Sequence, residues 1–246
     1  MIEKNNVNSV QVSVVLPAYN EVHYLCPAVE KTIQTLTTFA DSYEIIIAED
    51  GSQDGTAEIA TELSTKYSCV RHIHRETRLG RGTALNNAFR NSHGEVLVYM
   101  DLDLATDLHY LQPLVEAISV EGYDFSTGSR MLPESRASRS FSRGFSSKMY
   151  NSLVRHMLGS KLRDHQCGFK AFKKESLLEL LSTVQATHWF WDTEIMVRAH
   201  QQDYKIKEIP VEWHSGKDTK VNLAKDSWNM FWQVLGLWWK LEIKKK

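Results

Sequence analysis

The hydrophobic positions of this sequence gather in short runs, rich in valine and isoleucine, that recur at regular spacing. The first four runs are residues 10–16, 43–48, 70–74 and 95–100. Each run is typical of a buried strand. Helical patterns separate them, at residues 21–39, 54–67 and 81–92. Strands that alternate with helices in this way predict an α/β fold with a mostly parallel sheet flanked by helices.

The second half of the chain has a less regular pattern. It predicts helices near residues 108–119, 174–181, 193–202 and 222–241, strands near 125–128 and 205–211, and a short apolar piece at 168–172. No internal repeat and no low-complexity linker divides the sequence. We therefore expect residues 1–246 to form one domain, a length that can bury a single sizeable core.

Composition narrows the class of protein. Of the 246 residues 42% are hydrophobic, and 29 basic against 30 acidic side chains give a net charge of −1. This balance disfavours a disordered chain and a nucleic-acid partner. Three cysteines without a CxxC pair predict a reducing, cytoplasmic compartment. The N-terminus does not resemble a secretory signal, and the longest apolar run, 231–241, falls well short of the ~20 residues of a transmembrane helix.

The near-neutral total conceals a basic segment at residues 135–163. This segment contains no acidic residue, and its basic residues are Arg136, Arg139, Arg143, Lys148, Arg155, Lys161 and Arg163. Apolar residues recur every four positions as Phe141, Phe145, Met149, Leu153 and Met157. The pattern predicts a basic amphipathic helix on an anionic membrane surface. A helix that faces the core and has a solvated basic side is the alternative.

A second amphipathic candidate is the C-terminal segment, residues 222–246. It holds four of the seven tryptophans, and it ends in lysines. Tryptophan and lysine together favour a helix that lies in the membrane interface. A dimer interface or packing against the sheet would use the same residues. The two segments predict a peripheral protein on the cytoplasmic face of a membrane.

Three of the predicted strands end in acidic motifs. These are Pro-Ala-Tyr-Asn-Glu at residues 17–21, Glu-Asp-Gly-Ser-Gln-Asp-Gly-Thr at 49–56 and Asp-Leu-Asp at 101–103. Ligands of open α/β sheets bind at the carboxyl ends of the strands. Asp101 and Asp103 could both reach one hard cation, which prefers oxygen ligands and usually keeps substrate phosphates in its shell. Taken singly, Asp54 could instead cap a helix, Asp50 could sit in a turn, and the Asp pair could be a solvated strand end.

The order of these three motifs resembles that of family 2 glycosyltransferases of the GT-A fold. The resemblance continues through the motifs at residues 78–82, 128–130, 164–170 and 208–213, so it covers roughly residues 10–225. The later motifs look like those of the dolichyl-phosphate sugar transferases. Trp-Phe-Trp-Asp-Thr-Glu at residues 189–194 looks most like the glucosyl branch.

The resemblance implies a nucleotide-sugar donor site. The implied donor-binding residues are Pro17, Tyr19, Glu21, Asp50, Arg78, Arg81, Asp101 and Lys220. Pro17, Tyr19 and Glu21 would border the nucleobase and ribose, and Asp50 would contact the base. From the residues themselves we expect Gly82 to open a helix whose free N–H groups, with the two arginines, face a diphosphate. The glycines do not match a dinucleotide fingerprint, which argues against a nicotinamide oxidoreductase.

The resemblance also implies a divalent metal, Mg²⁺ or Mn²⁺, held by Asp101 and Asp103 with Asp103 as the more direct ligand. The mannosyl branch has a further glutamine ligand where this chain has Ala105. That difference fits the glucosyl branch better.

Catalytic and acceptor-binding candidates follow from the later motifs. The catalytic candidates are Asp103, Arg130 and Asp192, and the candidates for binding an acceptor phosphate are Arg130, Arg139, Arg143, Arg163 and Lys170. Arg130 could instead form a surface ion pair. Asp192 and Glu194 could bind sugar hydroxyls, act as a base or favour a helix start, and we favour sugar binding for Asp192.

The function that we expect is inverting, metal-dependent transfer of a hexose to dolichyl or polyprenyl phosphate. UDP-glucose is favoured over GDP-mannose as the donor. A phosphate monoester has a second pKa near ~6, so this acceptor needs little help from a base. Transfer to a glycan hydroxyl, with Asp192 as the base, and a nucleotide-sugar binding module without catalysis remain alternatives. The sequence does not decide the oligomeric state.

Overall fold

The computed structural model describes residues 10–138, 141–214 and 223–244, without the side chains of 141–143, 223–227 and 242–244. The strands are β1 (Val12–Ala18), β2 (Tyr43–Glu49), β3 (Val70–Ile73), β4 (Val96–Met100), β5 (Phe125–Ser129), β6 (Arg136–Ser138), β7 (Phe169–Lys173), β8 (Ile206–Pro210) and β9 (Glu212–His214). The helices are α1 (Val22–Leu36), α2 (Thr56–Lys66), α3 (Arg81–Arg90), α4 (Leu111–Ser119), α5 (Phe141–Leu158), α6 (Lys174–Leu181), α7 (Trp191–Gln201) and α8 (Leu223–Lys244). A short 3₁₀ turn, Leu108–Tyr110, precedes α4.

Seven strands form the central sheet in the order β3-β2-β1-β4-β7-β5-β8. All of them run parallel except β7, which is antiparallel to both β4 and β5. The predicted α/β class with a mostly parallel sheet is therefore confirmed. Because β7 runs backwards, its first residue Phe169 pairs with Met100, the last residue of β4. Residues 164–168, which directly precede β7, therefore lie at the edge of the sheet where the parallel strands end.

The sheet is buried on both faces because its strands alternate between two cores. Val14 and Leu16 pack in one core with helices α1, α2 and α4, whereas Val15 packs in the other with α3, α6 and α7. Alternate side chains of a strand point to opposite faces, which explains this division. Because these strands are buried on both faces, their sequences are continuous hydrophobic runs, and this is the pattern from which they were predicted.

A second, two-stranded parallel sheet joins β6 to β9 and was not predicted. Its strands are only three residues long and mostly polar, so their sequences show no alternation of apolar and polar residues that would indicate a strand. A bridge between Thr106 and Trp213 connects β9 to the chain that follows β4. The small sheet thereby places Trp213 beside the carboxyl end of β4.

Helices α5 and α8 pack together with α7 over a third, smaller core. This core contains Val154, Leu158, Phe190, Val197, Val234 and Leu237. The predicted apolar stripe of α5 is divided: the side chains of Phe145 and Met149 are 60% and 64% exposed, whereas Leu153 and Met157 pack against the core. A spacing of four residues drifts by roughly 40° per step on a helix of 3.6 residues per turn, so the five residues spread over roughly 160° of the helix surface and do not form a narrow stripe. The expectation of a single continuous stripe was wrong.

Helix α8 buries Val234 and Leu237 and exposes the tryptophans on its remaining surface. The exposed tryptophans are Trp228, Trp232, Trp238 and Trp239. In the described part of the chain, no helix has the length and hydrophobicity needed to cross a bilayer.

Candidate active site

The loops after β1 and β2 are joined by hydrogen bonds into one wall of a cleft. Asn20 N–H donates to Ser52 Oγ (3.0 Å), and Gln53 N–H donates to Asn20 Oδ1 (2.9 Å). Asn20 has a φ of 54°, the left-handed region that costs a non-glycine residue free energy and that clusters at functional sites. The motifs at residues 17–21 and 49–56 therefore meet at one sheet edge, as their positions after strands predicted.

Asp50 holds the loop that carries the two predicted donor arginines. Its buried carboxylate accepts hydrogen bonds from Leu79 N–H (2.9 Å) and Gly80 N–H (2.8 Å). Arg78, in the same loop, stacks on Tyr19 with 3.8 Å between the guanidinium carbon and the ring centroid. The structure thus brings Tyr19, Asp50 and Arg78 together. The role of Asp50 in contacting a nucleobase stays a prediction.

At the N-terminus of α3 the N–H groups of Gly82 and Thr83 are already occupied, which corrects the expectation for Gly82. Gly82 N–H (2.8 Å) and Thr83 N–H (3.3 Å) both donate to the carbonyl oxygen of Thr187. A Cβ atom on Gly82 would lie 2.7 Å from the carbonyl oxygen of Ala186. The glycine therefore permits close approach of the segment before α7, which covers this helix end.

Asp101 and Asp103 line one cleft together with Leu104, Gly168 and Trp213. Asp101 N–H donates to the carbonyl oxygen of Gly168 (3.1 Å), and a Cβ atom on Gly168 would lie 1.9 Å from Asp101 Oδ2. Gly168 is thus a site residue that the sequence reasoning did not single out. Leu104 has a φ of 48°, a strained conformation directly after the acidic pair.

The acidic pair fits a divalent cation. Desolvation in the cleft and the negative charge of Asp101 raise the pKa of Asp103. Two carboxylates that repel each other in one cleft are stabilised when a cation lies between them. Their hard oxygen ligands match Mg²⁺ or Mn²⁺.

Arg81, the first residue of α3, contacts the acidic pair through Asp101. Its Nη2 atom lies 2.5 Å from Asp101 Oδ1, and its Nη1 atom lies 3.8 Å from Asp192 Oδ2. The guanidinium packs between the rings of Tyr99 and Trp189, at 5.2 and 5.0 Å from their centroids. One mostly buried cation therefore links the metal candidates to Asp192, which stands in the first turn of α7.

Asp192 is buried and forms an ion pair with the buried side chain of Lys170. The Lys170 ammonium is fully buried on β7, lies 3.2 Å from Asp192 Oδ1 as an ion pair, and donates to the carbonyl oxygens of His165 and Cys167. Burial raises the pKa of Asp192 to about 6, although Arg81 opposes the rise. Burial lowers the pKa of Lys170 to about 8. The structure thus places Lys170 behind Asp192, not at an exposed surface where an acceptor could reach it.

Arg130 forms a buried ion pair with Asp164. Its Nε, Nη2 and backbone N–H groups donate to the two carboxylate oxygens over 2.7, 2.9 and 3.0 Å. Burial alone would raise the pKa of Asp164, but the guanidinium holds it well below its usual range. The ring of Trp213 lies 5.5 Å from the guanidinium carbon. An ion pair was the alternative for Arg130, but the sequence suggested one at the surface.

The structure describes only some of the other predicted acceptor-binding and donor-binding residues. Arg163 is exposed, and its N–H donates to Glu208 Oε2 (2.9 Å). Arg139 and Lys220 lie outside the described residues, as does the side chain of Arg143. Glu194 is buried and accepts from the N–H groups of residues 185 and 186 and from Arg198, so its contacts fix the chain before α7.

Comparison with known proteins places this chain in a family. The model of the family described as glycosyl transferase family 2 matches residues 13–181. A protein of Haloferax volcanii named glycosyltransferase AglD is 48% identical over 239 residues, which are 96% of this chain and 38% of that protein. A dolichyl-phosphate beta-glucosyltransferase of Dictyostelium discoideum is 30% identical over an alignment of 256 positions that covers 96% of this chain and 78% of that protein. The chain thus spans well under half of the Haloferax protein.

Solved structures show the same fold. The glucosyl-3-phosphoglycerate synthase of Mycobacterium tuberculosis in complex with UDP matches with a TM-score of 0.68 and 20% identity, over 93% of this chain and 80% of that chain. The same enzyme in complex with Mn²⁺, UDP-glucose and phosphoglyceric acid matches with a TM-score of 0.69 and 18% identity, again over 93% and 80%. At this identity the likeness shows the GT-A fold alone.

Proposed function

Because the chain belongs to glycosyltransferase family 2, we propose that it transfers glucose from UDP-glucose to dolichyl phosphate or a related polyprenyl phosphate. Transfer would proceed with inversion at the anomeric carbon and would require Mg²⁺ or Mn²⁺. The observation that carries the proposal is that Arg81 contacts both Asp192 and Asp101, which lines a cleft together with Asp103. The names of the curated relatives support the acceptor and the sugar, and the departure at Ala105 from the mannosyl pattern supports the glucosyl branch.

The residues of the cleft divide into those that hold the donor and those that place the sugar. Asp101 and Asp103 would hold the metal ion, which supplies positive charge to the departing diphosphate when it is bound. Arg81 adds a second, fixed positive charge beside this pair. Asp192, 3.8 Å from Arg81, would accept hydrogen bonds from sugar hydroxyls. Groups held in place before reaction lower the barrier because they need no reorganisation.

The proposed chemistry is a single displacement. An oxygen of the acceptor phosphate forms a bond to the anomeric carbon while the bond from that carbon to the nucleoside diphosphate breaks on the opposite face. The electron pair leaves with the diphosphate, and the configuration inverts. The acceptor is largely ionised at neutral pH, so no side chain has to remove a proton.

The proposal includes a position on the cytoplasmic face of a membrane, from which a polyprenyl tail could reach the cleft. Exposed apolar side chains of α5 and α8 support it, including Phe145, Met149 and the four tryptophans of α8. Lys148 and Lys240 are exposed on the same two helices. Basic and aromatic side chains together favour an anionic membrane surface.

Transfer to a glycan hydroxyl is the second candidate, and one observation favours it. With a pKa of about 6, Asp192 is largely ionised at neutral pH and could act as the base that a hydroxyl acceptor requires. The non-enzyme alternative, a module that binds the nucleotide sugar without turnover, would bind the donor but form no glycosylated product.

The experiment that tests the proposal incubates the protein with UDP-glucose or GDP-mannose and either polyprenyl phosphate or a soluble glycan, with and without a chelator. We expect glucosyl lipid from UDP-glucose only, and its loss with the chelator. Asp103→Asn should remove transfer and keep a cooperative thermal transition. Asp107→Asn is the control, since Asp107 is an exposed carboxylate whose Oδ1 caps the 3₁₀ turn. Full activity of Asp103→Asn, or product on the glycan alone, would contradict the proposal.

A further inference from the structure

Two histidines and one glutamate meet at the outer edge of the sheet, apart from the proposed catalytic cleft. Glu49 ends β2, while His72 lies in β3 and His74 directly follows it. Strands β2 and β3 are separated by β1 from β4, after which Asp101 and Asp103 lie.

The strand register explains why these three side chains converge. In the parallel pairing of β2 with β3, Ile47 lies opposite His72 and Ala48 opposite Ile73, so the next residues are Glu49 and His74. Alternate residues of a strand point to the same face, which places His72 and His74 on one side together with Glu49. The three side chains therefore converge because β2 and β3 pair in this register.

Each of the three residues offers one metal-ligating atom, and these atoms lie within 4.8 Å of one another. His74 Nδ1 lies 2.5 Å from Glu49 Oε2. His72 Nδ1 lies 3.2 Å from Thr61 Oγ1 on α2. Histidine ligands commonly use their second ring nitrogen for such a contact, which fixes the orientation of the ring.

The other nitrogen of His72 supplies an independent indication of a ligand. His72 Nε2 is buried and has no hydrogen-bond partner within the described ranges. A buried polar atom without a partner costs free energy, and a bound cation would remove that cost. Burial lowers the pKa of His72, which favours the neutral imidazole that metals bind.

The Glu49 carboxylate is held in the ionised form that a metal requires. It is almost fully buried, and burial alone would raise its pKa. Hydrogen bonds from Ser52 and His74 outweigh this effect and lower the pKa below the ordinary value. One negative ligand and two neutral imidazoles would leave a divalent cation with a net positive charge.

We propose that Glu49, His72 and His74 form a second metal site, which takes a transition-metal cation such as Zn²⁺. Two imidazole nitrogens and one carboxylate suit Zn²⁺, whereas Mg²⁺ prefers oxygen ligands alone. Three protein ligands leave a fourth position of a tetrahedral site for water. The cation would fasten β3 to the end of β2, directly before Asp50, and so would stabilise the wall of the cleft that Asp50 builds with residues 79 and 80.

The test measures metal binding in the full chain after both metal-binding candidates of the cleft, Asp101 and Asp103, have been replaced. In the Asp101→Asn/Asp103→Asn variant, we expect one equivalent of Zn²⁺ by equilibrium dialysis, and millimolar Mg²⁺ should not displace it. Co²⁺ should give the visible absorption of a tetrahedral site. Adding His74→Ala or His72→Asn should weaken Zn²⁺ binding at least ten-fold.

His109→Ala is the matched control, because His109 also lies against a carboxylate, 2.9 Å from Asp107, but belongs to no group of three ligating side chains among the described residues. It should leave Zn²⁺ binding unchanged. Absence of bound Zn²⁺ in the Asp101→Asn/Asp103→Asn variant would overturn the proposal. An unchanged affinity after His74→Ala, which alters a half-exposed side chain and should fold, would overturn it too.

Discussion

Replacing Arg130 by methionine tests whether this arginine holds the fold through Asp164. Methionine has a similar length but no charge, so Arg130→Met removes the two side-chain hydrogen bonds, keeps the one from the backbone N–H, and leaves Asp164 fully buried without its cation. Removal of one partner of a buried ion pair costs about 3–5 kcal/mol. In a protein of this size that cost corresponds to a fall of about 6–20 °C in the melting temperature.

The assay is thermal unfolding of wild type and variant between pH 7 and pH 5. In the wild type, the pKa of Asp164 lies below that of an unfolded aspartate, so its contribution stays constant across this range and is lost only in stronger acid. In Arg130→Met the buried carboxyl should have a raised pKa and take up a proton as the pH falls. The variant should therefore recover stability towards pH 5, and the difference in melting temperature should narrow.

Lys207→Met is the matched control. Lys207 pairs with Glu121 over 2.5 Å at the surface, where the two side chains are 33% and 43% exposed. Exposed pairs contribute at most about 1 kcal/mol, so this variant should lose no more than about 4 °C, without a pH trend. Equal losses in the two variants, or a gap for Arg130→Met that does not narrow in acid, would refute the reasoning.

Three further predictions concern the cleft and the proposed membrane surface. Gly168→Ala should displace the Asp101 carboxylate and reduce transfer at least ten-fold, whereas Gly236→Ala, where a Cβ atom meets nothing within 4 Å, should retain activity and gain up to about 1 kcal/mol. UDP-glucose affinity should fall between pH 7 and pH 5 as Asp192 gains a proton, and Asp192→Asn should flatten this dependence in a calorimetric titration. In flotation with anionic liposomes, recovery should fall when alanine replaces Trp232, Trp238 and Trp239, but should be unaffected by replacement of the more exposed Val120, which directly follows α4. Equal recovery of the three proteins would exclude α8 as the membrane anchor.

The wall of the cleft built after β1, β2 and β4 was largely predictable. Parallel strands end at one edge of a sheet, so the motifs at residues 17–21, 49–56 and 101–103 had to lie near one another once the strands were recognised. The spacing alone implies that the apolar residues of α5 drift around the helix, but it does not say which of them face the core. Packing with α7 and α8 decided this, since Phe145 is exposed and Met157 packs against the third core.

The sequence by itself determined the α/β class, the order of the strands along the chain and the acidic residues at their ends, because these follow from local periodicity. Only the tertiary structure decided which partners those residues have. The reversed strand β7 inserts between β4 and β5, and this places Gly168 against Asp101, Lys170 behind Asp192, and Asp164 on Arg130. The convergence of Glu49 with His72 and His74 likewise depends on strand register. Contacts between distant residues are fixed by how the strands pair and how their burial excludes water, and no local pattern encodes that.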